Sequence, residues 1–255
     1  MQIQDKRVVV TGAASGIGKA LCEAFNKAGA KSVVCVDMNI EGATETAIYI
    51  NGLAVQANVG KEADVINVID KANEYSGGID IFCSNAGILS LGDEQASVED
   101  WSRNWNLHVI SHALAAKKLI PDMLKRGSGY FVNTASAAGL LSHIDSITYS
   151  TTKHAAIGLA EWLAISYGKK GIGVSVLCPQ AVETDMTRGR ENEVSALDGM
   201  MKPEEVAIEV IKAIKNEDFL ISPHDQVIGY FQNKANNYSR WIGGMQKLKE
   251  RLNKV

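Results

Sequence analysis

The sequence lacks the marks of a membrane-spanning, exported or nucleic-acid-binding protein. No apolar run approaches the roughly 20 residues that span a bilayer, and the N-terminus MQIQDKRVVVTGAASG has no cleavable apolar segment. A formal net charge of −3 over 255 residues leaves no basic excess to attract nucleic acid or an anionic membrane. We therefore expect a cytoplasmic protein with neither nucleic-acid nor membrane partners.

Cysteine is also scarce. Cys22, Cys35, Cys83 and Cys178 are far apart, with no CxxC pair and no metal-ligand spacing. Three of them lie at the end of or within apolar runs, where a free thiol behaves as a small hydrophobic group. We predict four buried thiols, no disulfide framework and no metal site.

What the chain does have is a regular alternation of short β-branched runs and longer helical stretches, without linkers or repeats. Continuous apolar runs such as VVV and SVVCV indicate strands covered on both faces, as in a parallel sheet. The repeated strand–helix–strand units predict a single domain over residues 1–255. Its fold class is α/β: a doubly wound, predominantly parallel seven-stranded sheet with helices on both faces. The predicted strands are 7–12, 32–37, 53–58, 79–85, 129–136, 173–179 and, more weakly, 218–223; the predicted helices include 17–29, 61–75, 103–126, 151–169 and 203–216.

Two regions depart from this alternation. Residues 184–202 are polar and irregular just after a strand, and we expect them to form a substrate-binding loop. In the tail, 225–255, apolar residues recur at helical spacing among Lys and Arg. We expect a surface helix docked by this stripe, with a membrane-binding helix as the alternative. The stripe consists of Trp241, Met245, Leu248 and Leu252.

A glycine-rich loop joins the first predicted strand to the first helix. Small residues let the backbone approach a pyrophosphate, and the helix N-terminus offers unpaired N–H groups. Glycines also make ordinary turns, but their position at a strand-to-helix junction favours phosphate binding. The loop residues predicted to bind a cofactor are Gly12, Ser15, Gly16, Ile17 and Gly18.

Asp37 ends the second predicted strand, about twenty residues beyond the glycines. A carboxylate there can accept hydrogen bonds from both ribose hydroxyls and would repel a 2′-phosphate. The residues that follow, Met38 and Asn39, supply no opposing cation. The sequence therefore predicts NAD rather than NADP as the cofactor, with Asp37 and Met38 among its contacts.

Together with later motifs, this loop resembles that of the short-chain dehydrogenase/reductase (SDR) family, of the TGxxxGxG and YxxxK type. The resemblance extends over essentially the full length and implies a Rossmann-type oxidoreductase that assembles as a homotetramer or homodimer. The motifs that carry it are Thr11–Gly18, Asn85-Ala86-Gly87 after the fourth strand, Asn106 in a helix, Ser136 after the fifth strand, and Tyr149-Ser-Thr-Thr-Lys153.

The resemblance implies reversible hydride transfer between a secondary alcohol and a ketone, with Asn106, Ser136, Tyr149 and Lys153 as catalytic residues. Tyr149 and Lys153 are four residues apart, so both project from one helix face. A phenol titrates near pH 10, and a nearby ammonium together with the positive nicotinamide ring would lower that pKa for general acid–base work. Ser136 would share the developing alkoxide charge. Asn106 would bind a water next to Lys153 and complete a proton route.

Further cofactor contacts are also implied by the resemblance. They are Asn58 and Val59 near the adenine, Asn85, Ala86 and Gly87 in a turn, Tyr149 and Lys153, and Pro179, Val182 and Thr184 near the nicotinamide carboxamide. Two positions depart from the family: Asn58 stands where Asp is usual, and Gln180 where Gly is usual. An Asn carbonyl can still accept from the adenine amino group.

The substrate pocket is expected just after the functional strands, and most of its candidate residues are apolar. This composition suits a medium-sized hydrophobic secondary alcohol or its ketone. An alternative activity is an NAD(P)H-dependent ketone or 3-oxoacyl reductase. A methyltransferase, or a cofactor-sensing protein with a dead site, would have no use for Ser136, Tyr149 and Lys153 together. The pocket candidates are Leu89, Ala137, Ala138, His143, Ile144, Gln180, Met186 and part of 187–201.

Overall fold

Seven parallel strands form one sheet in the order β3-β2-β1-β4-β5-β6-β7. The structure is a computed structural model that describes residues 1–190 and 194–252, so residues 191–193 of the predicted loop and 253–255 of the tail lie outside it. The predicted doubly wound α/β fold is confirmed, and every predicted strand is present. The strands are β1 Arg7–Thr11, β2 Ser32–Asp37, β3 Leu53–Gln56, β4 Ile81–Ser84, β5 Gly129–Thr134, β6 Ile172–Leu177 and β7 Leu220–Ile221.

Helices cover both faces of this sheet and bury two apolar cores against it. All four cysteines are buried and free, as predicted. None of the helices described within 1–190 and 194–252 is both long and apolar enough to cross a membrane. The helices are α1 Gly16–Lys27, α2 Ile40–Ile50, α3 Glu62–Ser76, α4 Val98–Trp105, α5 Ser111–Arg126, α6 Ala137–Leu140, α7 Ile147–Tyr167, α8 Pro203–Asn216, α9 Asp225–Asn236 and α10 Tyr238–Leu252.

Helix α2 was not among the predicted helical segments. Its sequence IEGATETAIYI contains Gly, Thr and Ile, which are weak helix formers. Tertiary contacts stabilise it instead: the Thr46 hydroxyl donates to the carbonyl of Ala13 at 2.9 Å, and the Asn39 side chain caps its first turn. Packing against the glycine loop therefore outweighs the low local propensity.

The predicted helix over 103–126 is interrupted at Asn106, which the sequence predicts to be catalytic. Between α4 and α5 the chain forms a π-helical turn, Asn106–Ile110. Single π turns inside helices occur frequently at functional sites, because the extra residue changes which side chains face inward. This turn determines which residue of the segment reaches the site described below.

The strand order changes direction between β1 and β4. Strands β2 and β3 extend to one side of β1, and β4 to β7 extend to the other. In open α/β sheets the crevice at such a switch point, beyond the carboxyl ends of the strands, is where ligands bind. The sheet topology therefore places a crevice where the sequence predicts its phosphate loop.

Candidate active site

The glycine loop brings the start of α1 directly against the end of β1. Gly12 has a φ of 73°, which glycine adopts without strain. A Cβ on Gly18 would overlap the carbonyl oxygen of Gly12, so only glycine permits this close packing. The first turn of α1 thus directs its unpaired N–H groups into the crevice, as an anion-binding site requires.

A hydrogen-bonded cluster fixes the turn after β4 beside this loop. The Thr11 hydroxyl accepts from the backbone N–H groups of Asn85 and Ala86, at 2.9 and 3.0 Å. The Asn85 side chain donates to the carbonyl of Thr11 at 3.0 Å and accepts from the Thr134 hydroxyl at 3.2 Å. Asn85 therefore joins the ends of β1, β4 and β5.

The Asp37 carboxylate is held at the rim of the crevice by backbone groups. One oxygen accepts from the N–H of Ala14 in the glycine loop at 3.0 Å, and the other accepts from the N–H of Asn39 at 2.9 Å. Asp37 thus lines the same cavity as the glycine loop, with its charge at the end of β2.

Three predicted cofactor residues are not among those that line this cavity. Met38, Asn58 and Val59 follow β2 and β3 at the same edge of the sheet, but Met38 is 63% exposed and Val59 is buried in the core. The side-chain oxygen of Asn58, Oδ1, already accepts from the backbone N–H of Gly60 at 3.1 Å. The structure therefore places these residues beside the cavity rather than in its wall.

Ser136, Tyr149 and Lys153 converge at one end of the cavity. Ser136 caps α6, accepting from the N–H of Ala138 at 3.1 Å, and its hydroxyl donates to the carbonyl of Pro179 at 3.4 Å. Lys153 Nζ donates to the carbonyl of Thr134 at 2.9 Å and lies 5.5 Å from the centroid of the Tyr149 ring. The predicted phenol, hydroxyl and amine are therefore brought together.

The environment of this group shifts both of its titrating side chains toward neutrality. Burial raises the pKa of Tyr149 above its usual value, although the neighbouring Ser136 hydroxyl opposes that shift. Burial lowers the pKa of Lys153 to about 7. In the chain by itself, the Tyr149 pKa thus moves opposite to the direction expected from the sequence.

Asn106 is not brought to the other three predicted catalytic residues. Its side chain is exposed, and its Cβ lies toward Gly60 rather than toward Lys153. Asn106 and His108 are two positions apart in a helical turn, so they face roughly opposite sides. Because His108 points into the protein, Asn106 points out. The prediction that Asn106 contacts a water beside Lys153 is not met by this geometry.

His108 occupies the place expected for Asn106. Its imidazole is fully buried, and its Nε2 accepts from the backbone N–H of Ile88 at 3.1 Å. Nε2 is therefore unprotonated, so Nδ1 carries the hydrogen and donates to the Thr152 hydroxyl at 2.9 Å. The ring also packs edge-on against Tyr149, with centroids 5.6 Å apart. His108 thus connects the turn after β4 to the helix that carries Tyr149.

A second histidine, His112, lies one helical turn further on the same face. It is buried, and burial and the nearby Lys153 charge lower its pKa to about 3. The same two causes hold the pKa of His108 far below its usual value. The signal in the sequence, which sequence reasoning missed, is a pair of histidines four residues apart: His108 in the π-helical turn and His112 in α5.

The segment after β6 is held by another residue that the sequence did not single out. His224 Nδ1 accepts from the N–H of Gln180 at 3.2 Å, so its Nε2–H donates to the carbonyl of Ala181 at 2.9 Å. This imidazole fixes the backbone beside Pro179. The predicted residues Pro179, Val182 and Thr184 all line the cofactor cavity.

A second, mainly apolar cavity of about 380 Å³ adjoins the first. All seven individually predicted pocket residues line it, and so do Trp241, Met245 and Leu248 of the tail. The predicted docked helix is therefore α10, placed over the cavity; the side chain of Leu252 lies outside the described residues. Five residues line both cavities: Ser136, Tyr149, Gln180, Met186 and Thr187.

In the described part of the chain, no cluster of His, Cys, Asp or Glu could hold a metal ion.

Comparison with known proteins points to one family. A family model described as short chain dehydrogenase matches residues 6–195. Meso-2,3-butanediol dehydrogenase of Serratia marcescens is 32% identical, over 81% of this chain and 86% of that relative. 17-beta-hydroxysteroid dehydrogenase 13 of Mus musculus is 30% identical, over 93% of this chain and 80% of that relative.

The same family appears among solved structures. A short chain dehydrogenase/reductase from Burkholderia phymatum, in complex with NAD, superposes with a TM-score of 0.87 at 25% identity. The superposition covers 94% of this chain and 96% of that one. With the family model matched over most of the chain and the strand order and site geometry in place, this protein belongs to the short-chain dehydrogenase/reductase family of oxidoreductases.

Proposed function

We propose that this chain is an NAD-dependent oxidoreductase that transfers hydride reversibly between a secondary alcohol and a ketone. The observation that carries the proposal is the position of Ser136 and Tyr149, which line both the cofactor cavity and the adjoining apolar cavity. A reacting carbon held between the two cavities would lie next to a phenol and a hydroxyl. That arrangement suits proton transfer at the substrate oxygen.

The residues of the first cavity fit a nicotinamide dinucleotide. Gly12 and Gly18 keep open the space that a Cβ would fill, and the start of α1 faces it. Asp37 supports NAD over NADP, because a carboxylate at the end of β2 in this cavity would repel a 2′-phosphate. Among the described residues that line this cavity, Lys153 is the one Lys or Arg, and it lies at the far end beside Tyr149. The Burkholderia phymatum structure binds NAD on the same fold.

Three side chains divide the proton chemistry in this proposal. Tyr149 Oη takes the hydroxyl proton of the alcohol, or returns it to the ketone. Ser136 donates to the substrate oxygen as negative charge develops there. Lys153, held by the Thr134 carbonyl, adds positive charge near the phenol when it is protonated.

NAD, when bound, accepts the hydride, and its positive ring favours the phenolate form of Tyr149. Because burial alone raises the pKa of Tyr149, alcohol oxidation should become faster as the pH rises above 7. The reverse reaction, reduction of a ketone or a 3-oxoacyl group, would use the same residues with Tyr149 as the acid. Asp37 favours NADH over NADPH in that direction too.

The decisive experiment follows NAD⁺ reduction by the purified chain across a panel of secondary alcohols, with Tyr149→Phe as the test variant. We expect the variant to lose turnover by at least about 10²-fold while binding NADH as the wild type does. Tyr167→Phe, at the far end of the same helix, is the matched control and should retain activity. Turnover that survived Tyr149→Phe would contradict the proposal.

A further inference from the structure

The carboxyl-terminal helix α10 forms one wall of the apolar cavity that contains Tyr149. Trp241, Met245 and Leu248 line that cavity, and Tyr230 of α9 joins them. The spacing of 241, 245 and 248 places these three side chains on one face of α10. Ile242, about 100° further around the helix, lies outside this face and is 50% exposed. The helix therefore directs its apolar face at the cavity and its polar face at solvent.

We propose that α10 is a specificity element of this enzyme, and that it selects secondary alcohols and ketones with a large hydrocarbon part over small polyols. This inference rests on the proposed function. The other walls of the cavity, contributed by loops after β4, α6 and β6, are also largely apolar. Their apolar members are Leu89, Leu141, Ile144, Met186 and Leu197.

Three polar side chains of this cavity, those of Gln180, Asp198 and Tyr230, are hydrogen-bonded to each other. The Asp198 carboxylate accepts from Gln180 Nε2 at 3.0 Å and from the Tyr230 hydroxyl at 3.1 Å. A polyol in this cavity would place additional hydroxyls against apolar walls, where a hydroxyl without a hydrogen-bond partner is unfavourable. A hydrocarbon chain or ring would instead bury apolar surface, which is favourable.

The two tail helices are attached to the body in different ways. Helix α9 is anchored by Lys234, whose buried Nζ donates to the carbonyls of Leu140 and Leu141, at 2.8 Å each. Helix α10 has two adjacent glycines in its interior, Gly243 and Gly244, and each has a lower helix propensity than Ala. A ligand that fills the cavity beneath α10 adds apolar contacts to its inner face and should therefore stabilise this helix.

The test compares Trp241→Ala with Ile242→Ala, an adjacent substitution on the exposed side of the same helix. The substrates are the 2-alkanols from 2-butanol to 2-decanol, with 2,3-butanediol as the polar comparison. In the wild type we expect kcat/KM to rise with chain length. Trp241→Ala should lower kcat/KM for 2-decanol about tenfold or more and change that for 2-butanol by less than about twofold. Ile242→Ala should behave as the wild type.

Two further measurements separate a specificity role from a general defect. NADH affinity should be unchanged in Trp241→Ala, because no α10 residue lines the cofactor cavity within the described chain. Hydrogen exchange of the α10 amides should slow in the non-reacting complex with NADH and 2-decanol, and not in the equally non-reacting complex with NADH and 2,3-butanediol.

The possible failures are distinguishable. If the wild type oxidises 2,3-butanediol in a Tyr149-dependent way but 2-decanol no better than 2-butanol, the specificity inference is overturned and the proposed function stands. Equal losses for short and long alcohols in Trp241→Ala would also overturn the inference. If no secondary alcohol or ketone reacts, both the proposed function and the inference fail.

Discussion

The two buried histidines of α5 and the preceding turn should make the folded state sensitive to mild acid. Burial and the Lys153 charge hold the pKa of His112 at about 3, and that of His108 well below its usual value. In the unfolded chain both imidazoles titrate near pH 6.5. Below that pH the unfolded state therefore binds protons that the folded state excludes, and the free energy of unfolding falls as the pH falls.

The magnitude follows from the size of the pKa difference. Each histidine that stays neutral in the folded state lowers the free energy of unfolding by about 1.36 kcal/mol per pH unit below 6.5. Between pH 7 and pH 5 this is about 2 kcal/mol for each of His108 and His112. Lys153 adds little in this range, because with a folded pKa of about 7 it is mostly protonated in both states.

The assay is urea denaturation of the cofactor-free protein at pH 7, 6 and 5, for the wild type and for His112→Asn. The variant should lose about 2 kcal/mol less than the wild type between pH 7 and pH 5, whatever its stability at pH 7. His154→Asn is the control: partial burial lowers the pKa of that imidazole too, but the residue is exposed, so its removal should change the pH dependence less than that of His112. A variant that lost as much stability as the wild type would refute the assignment of His112 as a buried neutral imidazole.

Three other substitutions test the cofactor crevice and its supports. Asp37→Asn removes the charge opposed to a 2′-phosphate, so the ratio of NADPH to NADH affinity should rise about tenfold or more by calorimetry; an unchanged ratio would contradict the role of Asp37. Gly18→Ala places a methyl group against the carbonyl of Gly12, and thermal or urea denaturation should show a loss of about 1–3 kcal/mol together with weakened NADH binding. His108→Leu leaves the Ile88 N–H unpaired, which should cost about 1–3 kcal/mol of stability and lower kcat more than it raises KM, whereas His108→Asn should recover part of the kcat loss.

The order of strands and helices could be predicted from the sequence because each element carries its own signal. Continuous apolar runs indicated buried parallel strands, and β2 begins and ends where it was predicted. The same holds for α8, which has Pro203 at its first position. Helix α2 was missed because its residues are weak helix formers, and contacts with the glycine loop are what stabilise it.

His108, rather than Asn106, lies beside Lys153, so the motif in the sequence was not sufficient to identify the residue at this place. Both residues lie in the same helical turn, and one-dimensional spacing cannot say which of them faces the core. The π-helical turn and the packing of α5 against the sheet decide it. In the structure His108, which belongs to no recognised motif, connects the turn after β4 to the helix that carries Tyr149.

The sequence by itself determined the fold class and the glycine loop, since each depends on local pattern, and its family resemblance singled out Ser136, Tyr149 and Lys153. Tertiary structure alone decided which residue stands beside Lys153 and where the tail helix docks. It also decided that three polar side chains of the apolar cavity, those of Gln180, Asp198 and Tyr230, bond to one another. These features depend on contacts between segments that are distant in the chain. The burial and hydrogen-bond energies that stabilise such contacts depend on both segments, so they cannot be read from either one alone.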